Sequence, residues 1–309
     1  MYDIIGDIHG HADELVEILE LMGYDRRQGH YAHPERRAVF VGDFIDRGPQ
    51  IREVLQLVRP MIDQGAALAV MGNHEFNAIA YHTPHPEERD SFLRPHCEKN
   101  NHQHVETIRQ VPQDELTEYV EWFKSLPMRL EIDGICVVHA CWDQEQLNVI
   151  DKERSNSEPV TTQFMVRATD RESDLYKAID DVLKGKEIKL PGGVTFLDKD
   201  GNERSELRVR WFESPDGKTY AGYALSSESG FPEIDVNENL ITAAKPYPRD
   251  APPVFFGHYW LMADKPSLFT PNVACVDWSV AKGGKLVAYR WDGEQELDEE
   301  NFVSVISQQ

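Results

Sequence analysis

The sequence predicts an α/β fold, built on a mainly parallel, helix-flanked sheet with a β-rich insertion over about 144–250. Three observations predict it. Short apolar runs alternate with segments of helical period, the signature of strands joined by crossover helices. Each early run ends in a compact polar block rather than in a simple turn. Between 144 and 250 the alternation gives way to Gly-, Pro- and Asp-punctuated segments that read as hairpins. A chain of 309 residues fits one large domain or two smaller ones. The reading here is one domain over 1–309, with 144–250 as a cover on it.

The elements follow in order. Tyr2 to Gly6 is a short apolar strand, and Leu15, Ile18, Leu19 and Met22 then fall on one helix face. Ala38 to Val41 is the next strand. Ile51, Val54, Leu55, Val58 and Ile62 mark a helix that Pro60 should kink or shorten. Ala67 to Met71 is a third strand, Leu116 to Phe123 a helix stopped before Pro127, and Ile135 to Val138 a fourth strand. In the insertion, Leu175, Ile179, Val182 and Leu183 line a helix. Leu190-Pro191-Gly192-Gly193 and Asp198 to Asn202 read as hairpin turns, and Leu207 to Phe212 and Tyr220 to Ala224 as antiparallel strands. Strands return at Val254 to Phe256, Val273 to Val276 and Lys285 to Tyr289, and the acidic tail after Trp291 reads as loosely packed.

Composition narrows the function. With 32 Lys+Arg against 54 Asp+Glu, the net charge is −22. That argues against a nucleic-acid-coating protein, which needs surplus cations for phosphate neutralisation, but leaves room for a phosphate substrate held by cations placed locally. No run approaches the roughly 18 apolar residues of a membrane span. The start has neither the basic flank nor the apolar stretch of a secretory signal. Cys97, Cys136, Cys141 and Cys275 contain no C-x-x-C pair, which excludes a zinc ribbon or thioredoxin motif. The expectation is a reducing, cytoplasmic setting and no membrane partner.

The polar blocks carry the chemistry. The first strand ends in Gly6-Asp7-Ile8-His9-Gly10, the second in Gly42-Asp43-Phe44-Ile45-Asp46-Arg47-Gly48 and the third in Gly72-Asn73-His74-Glu75. The fourth ends in His139, and a later one in Gly257-His258. Ligands bind beyond the carboxyl ends of strands in open α/β sheets. Five strands would therefore bring Asp7, His9, Asp43, Asn73, His139 and His258 to one rim. Oxygen and nitrogen donors without thiolate suit Mn, Fe or Zn better than Ca or Mg. Six ligands are too many for one catalytic ion that keeps open positions. They suit two divalent ions about 3.5–4 Å apart bridged by a carboxylate, with Asp43 as the bridge and Mn as the first choice of ion.

These blocks, with His139 and Gly257-His258 after them, resemble the calcineurin-like metallophosphoesterase superfamily. The Asp46-Arg47 pair narrows the resemblance to the phosphoprotein phosphatase family, in the bacterial branch related to diadenosine tetraphosphate hydrolases. The motifs cover 1–139 and 254–289. The resemblance implies a helix-flanked β-sandwich of mixed sheets in α/β/β/α layers. It implies that Asp7, His9 and Asp43 hold one metal and that Asp43, Asn73, His139 and His258 hold the other. His74 would be the general acid, with Asp46 orienting its imidazole. Arg47 would fork onto phosphate oxygens, helped by Asn73 and by a second arginine from the middle region, Arg208 or Arg210 with preference for Arg210. Hydrolysis would be a direct displacement by hydroxide held on the metals, with no covalent phospho-enzyme. The chain departs from the family at His139-Ala140-Cys141, where His-Gly-Gly is usual, and at Asp277-Trp278-Ser279, where Asp-Thr-Gly is often found.

Other readings of single motifs are weaker. His74-Glu75 would need His at 78 to match a zinc protease, and Ala78 stands there. Asp198 to Gly201 lacks the closing Glu of a calcium loop. His82, His85, His96, His102 and His104 lie in a polar, Pro-containing stretch that reads as a solvated loop over the site. Cys141 reads as a small buried neighbour of His139. No P-loop and no Gly-x-Ser-x-Gly elbow is present. The leading expectation is a phosphomonoesterase acting on phosphoproteins or small phosphate esters. The alternative is a dinucleoside polyphosphate hydrolase cleaving diadenosine tetraphosphate into two ADP. A polynucleotide end-phosphatase and a catalytically silent metal-binding module rank below both.

Overall fold

The computed structural model describes residues 1–197, 203–225 and 231–308. The chain begins β1 (Tyr2–Ile5), α1 (Ala12–Leu21), β2 (Asp25–Arg27), β3 (His30–Ala32), β4 (Arg37–Phe40), α2 (Ile51–Asp63), β5 (Ala67–Ala69) and α3 (Asn73–His82). It continues α4 (Glu98–Gln110), α5 (Gln113–Phe123), β6 (Arg129–Ile132), β7 (Ile135–Val138), α6 (Gln144–Glu153), α7 (Thr162–Thr169) and α8 (Asp174–Lys184). Then come β8 (Glu187–Lys189), β9 (Phe196–Leu197), β10 (Glu203–Arg204), β11 (Glu206–Arg208), α9 (Tyr220–Tyr223) and α10 (Glu238–Ala243). The last strands are β12 (Val254–Phe256), β13 (Val273–Cys275), β14 (Asp277–Trp278), β15 (Lys285–Trp291) and β16 (Phe302–Ile306).

Two mixed sheets form the centre. One runs β14-β15-β1-β4-β5 with β16 also on β15, and the other runs β13-β12-β7-β6. The strand residues of β1 and β7 are buried throughout, as expected of strands covered on both faces. Side chains alternate between the faces. Ile4, Val39 and Tyr289 of the first sheet meet Ile135, Val137, Phe255 and Ala274 of the second in one cluster. Ile5, Ala38 and Phe40 pack outward with Leu15, Ile18, Val54 and Leu55 of α1 and α2, while Val138, Val254 and Phe256 join Leu147, Ile179 and Leu183 of α6 and α8. The result is the helix-flanked sandwich that the resemblance implies. The residue-level expectation of one mainly parallel sheet is corrected, because β15 runs antiparallel to β1, β14 and β16.

The parallel pairs position the site. Ile5 lies opposite Phe40, and Phe40 opposite Ala69, so the loops after β1, β4 and β5 leave one edge together. In the second sheet Val254 lies opposite Cys136 and Phe256 opposite Cys275, so the loops after β7, β12 and β13 do the same.

The region after 144 is more helical than its sequence suggests at the start and less strand-rich at the end. The helices α6, α7 and α8 precede two small hairpin-like pairs, β8 with β11 and β9 with β10. Leu190, Leu207, Val209, Tyr220, Tyr223 and Val236 form a separate small core there. Tyr220 to Tyr223 is a single helical turn capped by Thr219 rather than a strand, and the strand begun at Glu206 stops at Arg208. Pro191 to Gly193 is a 3-10 turn; the turn expected at Asp198 to Asn202 lies outside the described residues. Pro60 does not end α2, which continues to Asp63. The tail is not loose either: β16 pairs with β15 along Lys285 to Tyr289. Among the described residues no helix is long and apolar enough to cross a membrane.

Candidate metal centre

Six of the sequence-predicted residues come together where the two sheets meet. Asp7, His9, Asp43, Asn73, His139 and His258 are all buried, although they lie on loops after β1, β4, β5, β7 and β12. Backbone hydrogen bonds lace the loops: the carbonyl of Asp43 accepts from the amide of His9 at 2.8 Å, and the carbonyl of His139 from the amide of Gly257 at 2.8 Å. The amide of His258 donates to Asp7 Oδ2 at 2.9 Å, joining the first loop of one sheet to a loop of the other.

The loops are held in uncommon backbone conformations. His9, Asp43, Asp46, Arg47 and His258 all have positive φ, between 45° and 75°. Such conformations cost a non-glycine residue roughly 1–3 kcal/mol and cluster at functional sites. Close approach explains two glycines. A Cβ on Gly72 would stand 2.2 Å from Asp43 Oδ1, and one on Gly257 2.0 Å from Asp7 Oδ1.

Asp43 is at the centre. Its Oδ2 lies 3.5 Å from His9 Nε2, 3.4 Å from His139 Nε2 and 4.0 Å from His74 Nε2. Two groups of donor atoms compact enough for an ion share it: His9, Asp43 and His74, and Asp43, His139 and His258. Asn73 Oδ1 lies 3.0 Å from His139 Nε2 and 2.7 Å from His258 Nδ1, completing the second group. Two donors each about 2.1 Å from a shared ion stand about 3–4 Å apart, which is the spacing seen.

The donor set fits cations on independent grounds. His139 Nδ1 lies 2.7 Å from the Val41 carbonyl and His9 Nδ1 lies 2.9 Å from the Ile45 carbonyl. A carbonyl only accepts, so each Nδ1 carries a hydrogen and each ring turns its Nε2 toward Asp43. That is the way a protein fixes the tautomer of a ligating histidine. His9 Nε2, His258 Nε2 and Asp7 Oδ1 are buried with no hydrogen-bond partner in the structure, an expensive condition unless a cation meets them. Burial, with Asp277 and Asp43 close by, raises the Asp7 carboxyl well above its ordinary value. Burial, with His74 nearby, lowers His9 to about 3, leaving it neutral as a ligand must be. Burial would raise Asp43, but the charges of His139 and His74 outweigh it and hold the carboxyl low.

A second layer holds these groups. Glu75, fully buried, accepts from the amides of Asp43 and Phe44 at 2.8 Å each and from Gly72 at 3.0 Å. One carboxylate thus ties the second and third blocks together. The amide of His74 donates to Asp43 Oδ1 at 3.0 Å. Asp277, which follows β13, accepts from the amides of Trp260 and Ser279 at 2.6 and 3.0 Å.

The proposed acid pair is also assembled. His74 Nδ1 lies 2.6 Å from Asp46 Oδ2, both buried. The other oxygen, Oδ1, receives His104 Nδ1 at 2.8 Å and Thr107 Oγ1 at 2.5 Å. Burial works against the Asp46 charge, and the hydrogen bonds from His104 and His74 more than offset it, keeping the carboxyl low. Arg47 is exposed at the rim, its guanidinium 4.7 Å from the centroid of the Trp260 ring, which also stacks on His9 at 5.2 Å. Arg210 is not brought to the cluster. Its guanidinium engages the Ala224 carbonyl, Glu213 and the Phe269 ring. Burial lowers the His258 imidazole, and among the charges around it Arg208 adds most to that lowering. Placing the two arginines on one face assumed a strand through Phe212, and β11 stops at Arg208.

One expectation about single residues is corrected and one holds. His82 ends α3 and His102 and His104 lie inside α4, so only Thr83 to Cys97 is loop, and His104 is buried against Asp46. Its nearest sequence signal, His104 and Thr107 at i, i+3, was hidden by apolar Val105 and Ile108, which are exposed. Cys141 is buried and burial pushes its thiol well up, so it is no nucleophile.

Comparison with known proteins agrees with this geometry. Residues 2–214 match the family model described as calcineurin-like phosphoesterase. A bis(5'-nucleosyl)-tetraphosphatase PrpE [asymmetrical] of Halalkalibacterium halodurans is 49% identical over 74 residues, which is 24% of this chain and 30% of the relative. Its counterpart in Bacillus velezensis is 45% identical over 74 residues, again 24% and 30%. The match thus spans under a third of these relatives' length. A protein serine/threonine phosphatase of Saccharomyces cerevisiae shares the fold at a TM-score of 0.51 and 14% identity, over 100% of this chain and 79% of that one.

Proposed function

From the premise that the chain belongs to the calcineurin-like phosphoesterase family, as a metal-dependent phosphoester hydrolase, we propose that it cleaves phosphate monoesters, phosphoproteins or small aryl and alkyl phosphates, on two divalent ions. The observation that carries the reading is Asp43 Oδ2, shared by two candidate ion groups and backed by a histidine–aspartate pair. Asp7, His9 and Asp43 would hold one ion and Asp43, Asn73, His139 and His258 the other, Mn first among the candidates. When bound, such a pair activates water and neutralises phosphoryl oxygens. The chain's own residues do the rest. Arg47 and Asn73 orient the phosphate, with Arg208 rather than Arg210 as the second cation, since a guanidinium can fork onto two phosphate oxygens. His74 gives a proton from Nε2 to the leaving oxygen while Asp46 keeps Nδ1–H directed inward. The two sheets, packed as one sandwich around a buried cluster, support a single domain over 1–309 with 144–250 as its cover.

A second reading is favoured by the relatives, whose names give asymmetrical tetraphosphatase activity. A dinucleoside polyphosphate would use the same ions and acid. The test is a panel of 4-nitrophenyl phosphate, a phosphopeptide and diadenosine tetraphosphate on protein reconstituted with Mn and assayed for bound metal. Monoester turnover supports the first reading. Cleavage of the dinucleotide alone supports the second, with two ADP marking symmetrical and AMP plus ATP asymmetrical attack. A fully loaded protein inert on all three overturns both.

A further inference from the structure

We propose that His104, with Thr107, is a positioning residue for the acid of this site: α4 holds Asp46 so that one carboxylate oxygen is kept for His74. The inference rests on His74 acting as proton donor. Both oxygens of Asp46 are spoken for, Oδ1 by His104 Nδ1 at 2.8 Å and Thr107 Oγ1 at 2.5 Å, Oδ2 by His74 Nδ1 at 2.6 Å. Thr107 Oγ1 also accepts from the Asp46 amide at 3.0 Å. The residue is therefore gripped through backbone and side chain at a position where φ is 67°. A carboxylate with free rotation could offer either oxygen to His74, and the imidazole would swing with it. Saturating Oδ1 leaves one orientation, in which His74 Nε2 points at the cluster, 4.0 Å from Asp43 Oδ2.

The make-up of α4 points the same way. Its buried side chains are His104 and Thr107, whereas its apolar Val105 and Ile108 are 45% and 41% exposed. Burying polar groups costs free energy unless they are hydrogen-bonded, and amphipathic helices ordinarily bury the apolar face. This helix instead turns its buried face to one carboxylate. The far nitrogen of His104 is braced by His82, Nε2 to Nε2 at 3.1 Å, and the ring packs against Tyr81.

Leaving-group dependence separates positioning from mere structure. A 4-nitrophenolate leaves with little help, whereas phenolate needs the proton. Wild type, His104→Leu, His104→Asn and Thr107→Val would be loaded with Mn, assayed for metal and compared on 4-nitrophenyl and phenyl phosphate. His104→Leu should lower kcat on phenyl phosphate about tenfold more than on the nitro ester. His104→Asn, whose amide nitrogen stands near the place of Nδ1, should bring that ratio back to within about twofold of wild type. Thr107→Val should raise the ratio severalfold. Equal losses on both esters, or losses that track lost metal, overturn the proposal. If His104→Leu fails to fold by circular dichroism, the Thr107→Val ratio decides alone. A wild type inert on both esters overturns the hydrolase reading and this one with it. An active wild type with an unchanged ratio in the variants overturns this one alone.

Discussion

Asp43 Oδ2 stands within 3.5 Å of Nε2 of both His9 and His139, and removing its charge while keeping its shape is the sharpest probe of a shared ligand. Asp43→Asn should lose bound metal and activity together, because an amide oxygen bridges two cations poorly. Metal counting by mass spectrometry checks this, and two retained ions would contradict the bridge. His74 needs a different prediction, since its nitrogen also falls in one candidate ion group. His74→Ala should keep both ions and lower turnover on unactivated esters on the order of a hundredfold; a matching loss of one ion would make it a ligand. The six clustered residues were legible in the sequence because each lies within a few positions of the end of an apolar run, so local pattern placed them at strand ends. Glu75, at the start of α3, reads from the sequence as a supporting carboxylate rather than a ligand, and it does support the loops through their amides. His104 was not legible in role, because what it does depends on a carboxylate 58 residues away, and no local pattern encodes such a partner.

Most of the site is carried by loops at strand ends, with Asn73 and His74 opening α3 and His104 and Thr107 on α4, and the loop geometry is set by close contacts. A Cβ at Gly257 would meet Asp7 Oδ1 at 2.0 Å and the Val41 side chain at 2.8 Å. Gly257→Ala should therefore push Asp7 out of place, weakening metal binding by at least about tenfold, as changes to ligand-orienting groups do, while far-ultraviolet circular dichroism stays unchanged. Calorimetric Mn titration beside the spectrum reads both; unaltered affinity would mean that the loop yields and that Asp7 is not held from this side. The long amphipathic segments were legible: α2, α5 and α8 carry apolar residues at helical spacing, and α2 absorbs Pro60 without stopping. The polar helix α4 and the single turn at Tyr220 were not. One hides its buried face in His and Thr, and in the other four residues are too few to show a period. The aromatic content of Tyr220 to Tyr223 favours strand by propensity, and the Thr219 cap with burial in the small core of the insertion overrides it.

At the scale of the whole molecule, apolar runs mark strands but do not name their neighbours, which is why a single parallel sheet was the simplest expectation and two mixed sheets are what form. The tail makes the point. Phe302-Val303-Ser304-Val305-Ile306 is an apolar run masked by the acidic stretch before it; β16 pairs with β15 over five residues, Val305 is buried, and the amide of Gln308 donates to Glu14 on α1 at 3.0 Å. None of these residues belongs to the candidate site, so the tail should matter for stability and not for chemistry. Deleting residues after Asn301 uncovers the edge of β15 and leaves a row of unpaired backbone groups open to self-association. The lost burial and ladder bonds amount to about 2–4 kcal/mol, or a fall in melting temperature of roughly 3–6 °C for a domain of this size. Thermal melts with size-exclusion chromatography should show a less stable, more self-associating protein. Turnover per bound metal should be unchanged at low temperature. An unaltered melt would mean that β15 is held by β1 and β14 alone. Turnover lost at constant metal would mean that the loop after β1 is supported from the tail through β15, whose Val287 carbonyl accepts from the Gly6 amide at 2.9 Å.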